Sequence, residues 1–337
     1  MISRSRRTLL LPIFLAWALG CGDAASGLDA KIHDLMGRAT WGSLNLEEAR
    51  RLFTTPAAED RPFVLVNLIR HRERAAYRDG RPTDLTGAEA DAIYGGLVLP
   101  ILAEIGAMPV FVAEVDRNLI DADGAGWDQV AVVRYPSRAA FTAMIQRPDF
   151  RAAAVHKVAG VERSTVLVGE ERPLPWPDEF RRLDLSAVPY PPTTADPPIA
   201  VVNVLDYRER AAYADARETD LSGREAMALY EQSRAAQAFP LGVRPGALFA
   251  VEGELYGDGQ AWEEVRINDF PSRATLDALI SRETLDQAGY EHRLAGVERT
   301  YAMATAPIVN AFGYLPAGAA ASARTAPSGD DDPGIRR

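Results

Sequence analysis

A chain that says nearly the same thing twice, about 136 residues apart, has few ways to fold. Residues 62–96 read PFVLVNLIRHRERAAYRDGRPTDLTGAEADAIYGG, and residues 198–232 read PIAVVNVLDYRERAAYADARETDLSGREAMALYEQ. Roughly half of these positions are identical without a gap. The match resumes at Trp127 and Trp262 and passes through Pro136-Ser137-Arg138 and Pro271-Ser272-Arg273. It closes on Ala159-Gly160-Val161-Glu162-Arg163 and Ala295-Gly296-Val297-Glu298-Arg299. Solenoid repeats run about 20 to 50 residues. A period this long has the size of a domain, and two copies each have enough chain to bury a core.

The N-terminus reads as a targeting segment outside the fold. Arg4, Arg6 and Arg7 precede a short apolar run, Leu9 to Leu19, that ends at Gly20-Cys21. A membrane span needs about 20 apolar residues, so this run is a signal-peptide core. Ala18-Leu19-Gly20-Cys21 resembles the lipobox of bacterial lipoproteins, which implies that Cys21 is lipidated and begins the mature chain. An ordinary secretory signal and an uncleaved anchor are the alternatives. Cys21 is the only cysteine, so no intrachain disulfide can form, and its place at the end of the apolar run suits anchoring better than catalysis. Loss of residues 1–20 takes the net charge from −10 to about −13. An acidic chain without a basic cluster argues against nucleic acid and against electrostatic binding to anionic lipid, and leaves the lipid on Cys21 as the membrane tether.

The expected organisation is a signal peptide at 1–20, a spacer at 21–60, a first repeat at 61–170, a linker at 171–197, a second repeat at 198–309 and a disordered tail at 310–337. The spacer predicts short helices at Asp29–Gly37 and Leu46–Phe53. Pro-rich runs (PLPWP, PYPPTTADPP) make the linker semi-rigid. The tail is Ala, Ser, Gly and Asp rich and lacks the large apolar residues of a core.

Each repeat reads β-α-β-β-α-β. Phe63–Ile69 and Ile199–Leu205 are apolar, β-branched runs suited to strands buried on both faces. Thr86-Gly87-Ala88-Glu89 and Ser222-Gly223-Arg224-Glu225 are capping boxes that open the first helix of each repeat. Pro100 is placed to kink or end the first of these helices. Hairpins follow, Val110–Val115 with Gln129–Arg134 and Ala247–Glu252 with Glu263–Asn268, their turns supplied by DADGAG and YGDGQA. Ser137 and Ser272 cap the second helices, which would end in left-handed glycines at Gly160 and Gly296. Ser164–Val168 and Thr300–Ala304 are the last strands.

With that element order, and with YPSRAAF…RPDFRAAAVHKVAGVERSTVLV in its second half, each repeat resembles a ferredoxin-like domain of the dimeric α/β-barrel superfamily. More narrowly, it is similar to a bacterial family within it that is labelled a domain of unknown function. The resemblance covers both repeats, about two thirds of the chain. It implies an α+β fold in which the tandem domains form an intramolecular pseudo-dimer, with a cavity between sheet and helices. Other superfamily members include cofactor-free monooxygenases, isomerases, haem peroxidases and chlorite-decomposing enzymes. The narrow family carries no catalytic motif, so these activities remain analogies of fold.

Residues shared by both copies are the candidate ligand contacts, each beside a plainer reading. Asn67 and Asn203 interrupt apolar strands, either facing a ligand or bonded to backbone. Arg72 and Tyr77, with Arg208 and Tyr213, follow the first strand; they suit a carboxylate grip and a stacking partner, or a surface ion pair and an anchor. Tyr94 and Tyr230, with Trp127 and Trp262, could line a pocket or fill the core. His156 and His292, near the ends of the second helices, could act as base, metal or haem ligand, or could stabilise the helix end. No metal-ligand spacing accompanies them, and no phosphate loop, nucleophile elbow or HExxH motif occurs. The expectation is a lipid-anchored, extracytoplasmic protein that binds a small molecule, with no cofactor. The alternatives are a cofactor-independent monooxygenase- or isomerase-like enzyme and a non-catalytic structural module.

Overall fold

A computed structural model of the chain describes residues 15–124, 126–283 and 287–315, without the side chains of 15–25, 282–283 and 287–288. Residues 1–14 and the chain beyond 315 therefore lie outside the described residues, as does the side chain of Cys21, the expected lipid site. Among the described residues no helix is long and apolar enough to cross a membrane.

The N-terminal segment forms α1 (Leu15–Met36), β1 (Ser43–Leu44) and α2 (Leu46–Thr54). The helix expected at Asp29–Gly37 is the end of the longer α1. Asn45 caps α2, its side-chain oxygen accepting from the backbone N–H groups of Glu47 and Glu48. Ile32, Met36, Ala49 and Leu52 are buried against Phe63 and Leu65. The segment packs onto the first half.

The first half contains β2 (Phe63–His71), α3 (Gly87–Glu104), β3 (Met108–Ile120), β4 (Gln129–Tyr135), α4 (Arg138–Gln146), α5 (Pro148–Gly160) and β5 (Val161–Glu171). The second contains β6 (Ile199–Tyr207), α6 (Gly223–Ala238), β7 (Arg244–Gly257), β8 (Glu264–Phe270), α7 (Arg273–Glu283), α8 (Gln287–Gly296) and β9 (Val297–Asn310). Both capping boxes form, Thr86 with Glu89 and Ser222 with Glu225. The single helix expected after Ser137 is two, because Pro148 starts a new one. Pro100 does not end α3, which continues to Glu104.

Eight strands close into an antiparallel barrel in the order β7-β5-β2-β4-β3-β9-β6-β8, with β8 returning to β7. Each half supplies four adjacent strands, and the seams between halves are β3 with β9 and β5 with β7. These seams explain why β3, β5, β7 and β9 outrun their expected lengths. The extra residues pair across halves, as where Arg117 and Asn118 meet Ala304 and Met303. The barrel interior is filled. Val64, Val66, Leu68, Trp127, Leu167, Val202, Val204, Trp262, Phe249 and Met303 form one buried cluster drawn from both halves. Alternation on β2 sends Leu65 and Asn67 the other way, toward the helices.

Gly160 and Gly296 are not left-handed caps. Neither has a positive φ, and Val161, after α5, is extended. Their role is close approach: a Cβ on Gly160 would meet the Gly87 carbonyl oxygen at 2.3 Å, and one on Gly296 the Gly223 oxygen at 2.3 Å. The segment expected as a linker is partly anchored, because Arg181 is buried and donates to the Phe312 carbonyl at 2.8 Å. The expected tail likewise begins too early. β9 reaches Asn310, and Phe312 is buried in the barrel cluster.

Candidate functional site

On the helix-facing side of the first half lies a cleft of about 1510 Å³. Its polar centre is Asn67, in register with Ala131 of β4. The Asn67 amide donates to the carbonyls of Leu65 and Ala131, both at 3.3 Å, and its Oδ1 accepts from Lys157 Nζ of α5 at 3.2 Å. Lys157 Nζ also stands 5.4 Å from the centre of the Tyr94 ring and 5.8 Å from that of Trp41. Both ring faces favour a cation. Among the described residues no carboxylate lies within ion-pair distance of Lys157. Burial draws its ammonium pKa below the ordinary lysine value, while the more distant Asp91 works the other way.

Asp91 is turned toward His71, whose Nε2 lies 3.3 Å from Asp91 Oδ2 in a largely buried pair. The other carboxylate oxygen, Asp91 Oδ1, is buried without a hydrogen-bond partner, and so is the indole Nε1 of Trp41. Burial, then the field of Asp91, raises the Tyr94 phenol far above its usual range, which keeps its hydroxyl protonated. Val98, Leu102, Met144, Ile145 and Phe150 supply apolar walls. Trp41 is fixed by its carbonyl, which accepts from Ser164 N at 3.0 Å, and Tyr256 of β7 joins the lining from the other half.

The same place in the second half is occupied. Ala88, Gly95 and Ala131 line the cleft, and their counterparts along the repeat are Arg224, Glu231 and Arg266. Arg266 pairs with Glu231 and Glu264, and its Nη2 meets the Tyr207 hydroxyl at 3.2 Å. Arg224 donates to Glu264 at 2.6 Å, and the Tyr207 hydroxyl donates to Glu264 at 3.0 Å. Three small residues hollow one half where an ionic network fills the other.

Of the residues marked by the repeat, Asn67, Tyr94 and Arg72 line the cleft, Arg72 through the loop after β2. Trp127 and Trp262 instead lie inside the barrel, on either side of Tyr301 at 5.5 and 4.9 Å between ring centres. Tyr77 and His156 are bound to each other, hydroxyl to Nδ1 at 2.7 Å, with the Arg81 guanidinium 3.7 Å over the tyrosine ring. Burial, then Arg81, lowers the His156 pKa and favours the neutral ring, which shares a proton with the phenol across this contact. Tyr213, His292 and Arg217 repeat the arrangement, at 2.6 and 3.6 Å. These groups pin the loop after the first strand to the helices, so neither histidine serves the helix end. Asn67, Tyr77, Tyr94 and Trp127 do not converge. Asn203 and Tyr230 flank the filled counterpart, and Arg208 pairs with Glu298. Lys157, His71, Asp91 and Trp41 complete the cleft and carry no signal as repeated residues. Among the described residues no group of His, Cys, Asp and Glu could hold a metal ion.

A protein of unknown function from Rhodopseudomonas palustris, solved twice and once in methylated form, matches this chain. The methylated structure is 36% identical, covering 98% of that protein and 40% of this chain, with a TM-score of 0.35. The second is 35% identical over 94% and 38%, with a TM-score of 0.33. This chain belongs to that protein's family. The match spans about one repeat, and membership brings no activity with it. A chlorite dismutase variant from Candidatus Nitrospira defluvii matches 77% of this chain and 95% of its own at 11% identity, with a TM-score of 0.40. At that distance no function passes from it. No protein-family model matches the chain, nor does any curated protein.

Proposed function

We propose that this is a small-molecule-binding protein of the cell envelope, tethered through a lipid on Cys21, whose ligand enters the cleft of the first half. In this reading the halves are tandem ferredoxin-like domains paired as an intramolecular pseudo-dimer, one copy retaining the site and the other giving it up. One observation carries the reading: Ala88, Gly95 and Ala131 leave open a volume that Arg224, Glu231 and Arg266 occupy in the other half. An apolar pocket with a few convergent polar groups is where small ligands bind.

The test is to install the second half's own plug in the first, as Gly95→Glu with Ala131→Arg, and to titrate with the neutral apolar dye 1-N-phenylnaphthylamine. The wild type is expected to enhance the dye's fluorescence saturably, and the plugged protein, with an unchanged circular dichroism spectrum, to lose that response. Equal binding by both proteins would place the dye elsewhere and overturn the reading. A second reading, a cofactor-independent monooxygenase- or isomerase-like enzyme, is supported by the His71–Asp91 pair, which Tyr207 and Met227 replace in the second half. Such a pair could move a proton next to a bound ligand.

A further inference from the structure

Resting on the reading that the first cleft holds a ligand, we propose that this ligand is an organic anion, an acid group on an aromatic or apolar body, received by Lys157 and the Trp41 indole N–H. A cation drawn into an apolar site is costly unless an anion meets it. Lys157 is met by a neutral carbonyl oxygen, that of Asn67, and by two ring faces. An ammonium has three hydrogens, and Asn67 takes one. Asp91 does not supply the missing charge, being held by His71 outside ion-pair range of Lys157.

The second half indicates what is missing. There Arg224 and Arg266 fill the cleft and are answered by two carboxylates, Glu231 and Glu264. The counterparts of these carboxylates in the first half are Gly95 and Gln129, and those of the two arginines are Ala88 and Ala131, so the whole network is gone and Lys157, which stands where the second half has Arg293, faces the opened space. A Cβ added at Gly95 would meet nothing within 4 Å, so no packing requirement accounts for the glycine. Among the described residues no carboxylate reaches Lys157, and the opened space beside it is where a ligand's anion could.

A second donor marks where it would sit. Trp41 Nε1 is buried with no acceptor, on a side chain that also faces Lys157. An acid oxygen between the two would satisfy both. Tyr94, Phe150, Val98 and Leu102 offer an apolar and aromatic wall to the ligand's body, beside charged lining that includes Arg72 and Glu73.

Two dyes sharing one anilinonaphthalene skeleton separate the charge from the body: neutral 1-N-phenylnaphthylamine and the sulfonate 1-anilinonaphthalene-8-sulfonate. The wild type is expected to bind the sulfonate about tenfold more tightly than the neutral dye, as a charge-assisted contact should. Lys157→Met should erase that preference, and Lys157→Arg should keep it. The plugged protein, Gly95→Glu with Ala131→Arg, should bind neither. Equal affinities in the wild type, or a preference that survives Lys157→Met, would overturn the anion assignment while leaving the cleft a binding site. Failure of both dyes to bind the wild type would overturn the binding reading as well.

Discussion

Ala131 and Arg266 hold the same position in the two halves, each in register with a strand asparagine, Asn67 or Asn203. One opens a cleft, and the other closes it by reaching Glu231. The residue across that gap in the first half is Gly95, inside α3 with open space around it. Glycine in a helix interior costs about 1 kcal/mol relative to alanine. Gly95→Ala is therefore expected to stabilise the protein by about 0.5 to 1 kcal/mol in urea unfolding. No gain would mean that the glycine has a packing role.

Gly160→Ala should do the opposite. Its new Cβ would fall 2.3 Å from the Gly87 carbonyl oxygen and 3.0 Å from Asp91 N, where α3 and α5 touch backbone to backbone. Overpacking of this kind costs about 1 to 3 kcal/mol, and rigid backbone on both sides puts Gly160 at the upper end. Gly296→Ala should match it. Thermal melts of both variants, compared with Gly95→Ala, check the contrast.

These glycines also mark what could be read from the sequence. Matching segments identify residues that the fold needs twice: the capping boxes, the Gly87–Gly160 contact, and the Tyr77–His156 and Tyr213–His292 staples. A ligand site that survives in one copy lies where the copies part. Lys157 stands against Arg293, His71 against Tyr207, Asp91 against Met227, and Gly95 against Glu231. Identity between copies selects against such positions, so it reaches Asn67, Tyr94 and Arg72 and misses the rest. Trp41 has no counterpart, because it arrives on a segment outside the repeat. Strand lengths were underestimated for a related reason: pairing across a seam depends on the other half, which no local pattern reports.

The two asparagines should now behave differently. Asn67→Leu removes the acceptor of a largely enclosed ammonium and is expected to cost about 2 to 3 kcal/mol. Asn203 has no such partner, since Arg266 turns to Glu231 and Glu264, and Asn203→Leu should lie within about 0.5 kcal/mol of wild type. Equal losses in equilibrium unfolding would assign both residues to the fold.

The anchor has a direct test. Cys21→Ser is expected to move the protein from the membrane to the soluble fraction and to abolish metabolic labelling with palmitate. A protein that stays membrane-bound and labelled would exclude Cys21 as the lipid site.

Asp269 of β8 gives the last prediction, a dependence of stability on pH. Its carboxyl is buried; Oδ1 accepts from Asn310 Nδ2 at 2.7 Å, while Oδ2 has no partner and occupies space that a side chain at Gly246 would need. Burial pushes its pKa from 3.8 up to about 7, against smaller opposing effects of the Asn310 bond and Arg181. An acid whose pKa is higher folded than unfolded binds its proton more tightly in the native state. Its contribution is therefore complete below about pH 4, is lost as pH rises toward 7, and changes little above that. A rise of about three units corresponds to a loss on the order of 4 kcal/mol. Glu48, Glu254 and Glu264 are raised by burial too and slope the same way, so the measurement must be a difference. Asp269→Asn keeps an acceptor for Asn310 and cannot ionise. Its stability relative to wild type is expected to climb between pH 4 and 7 and then level off. A difference that stays flat across that window in urea melts would mean that Asp269 is ionised in the folded protein.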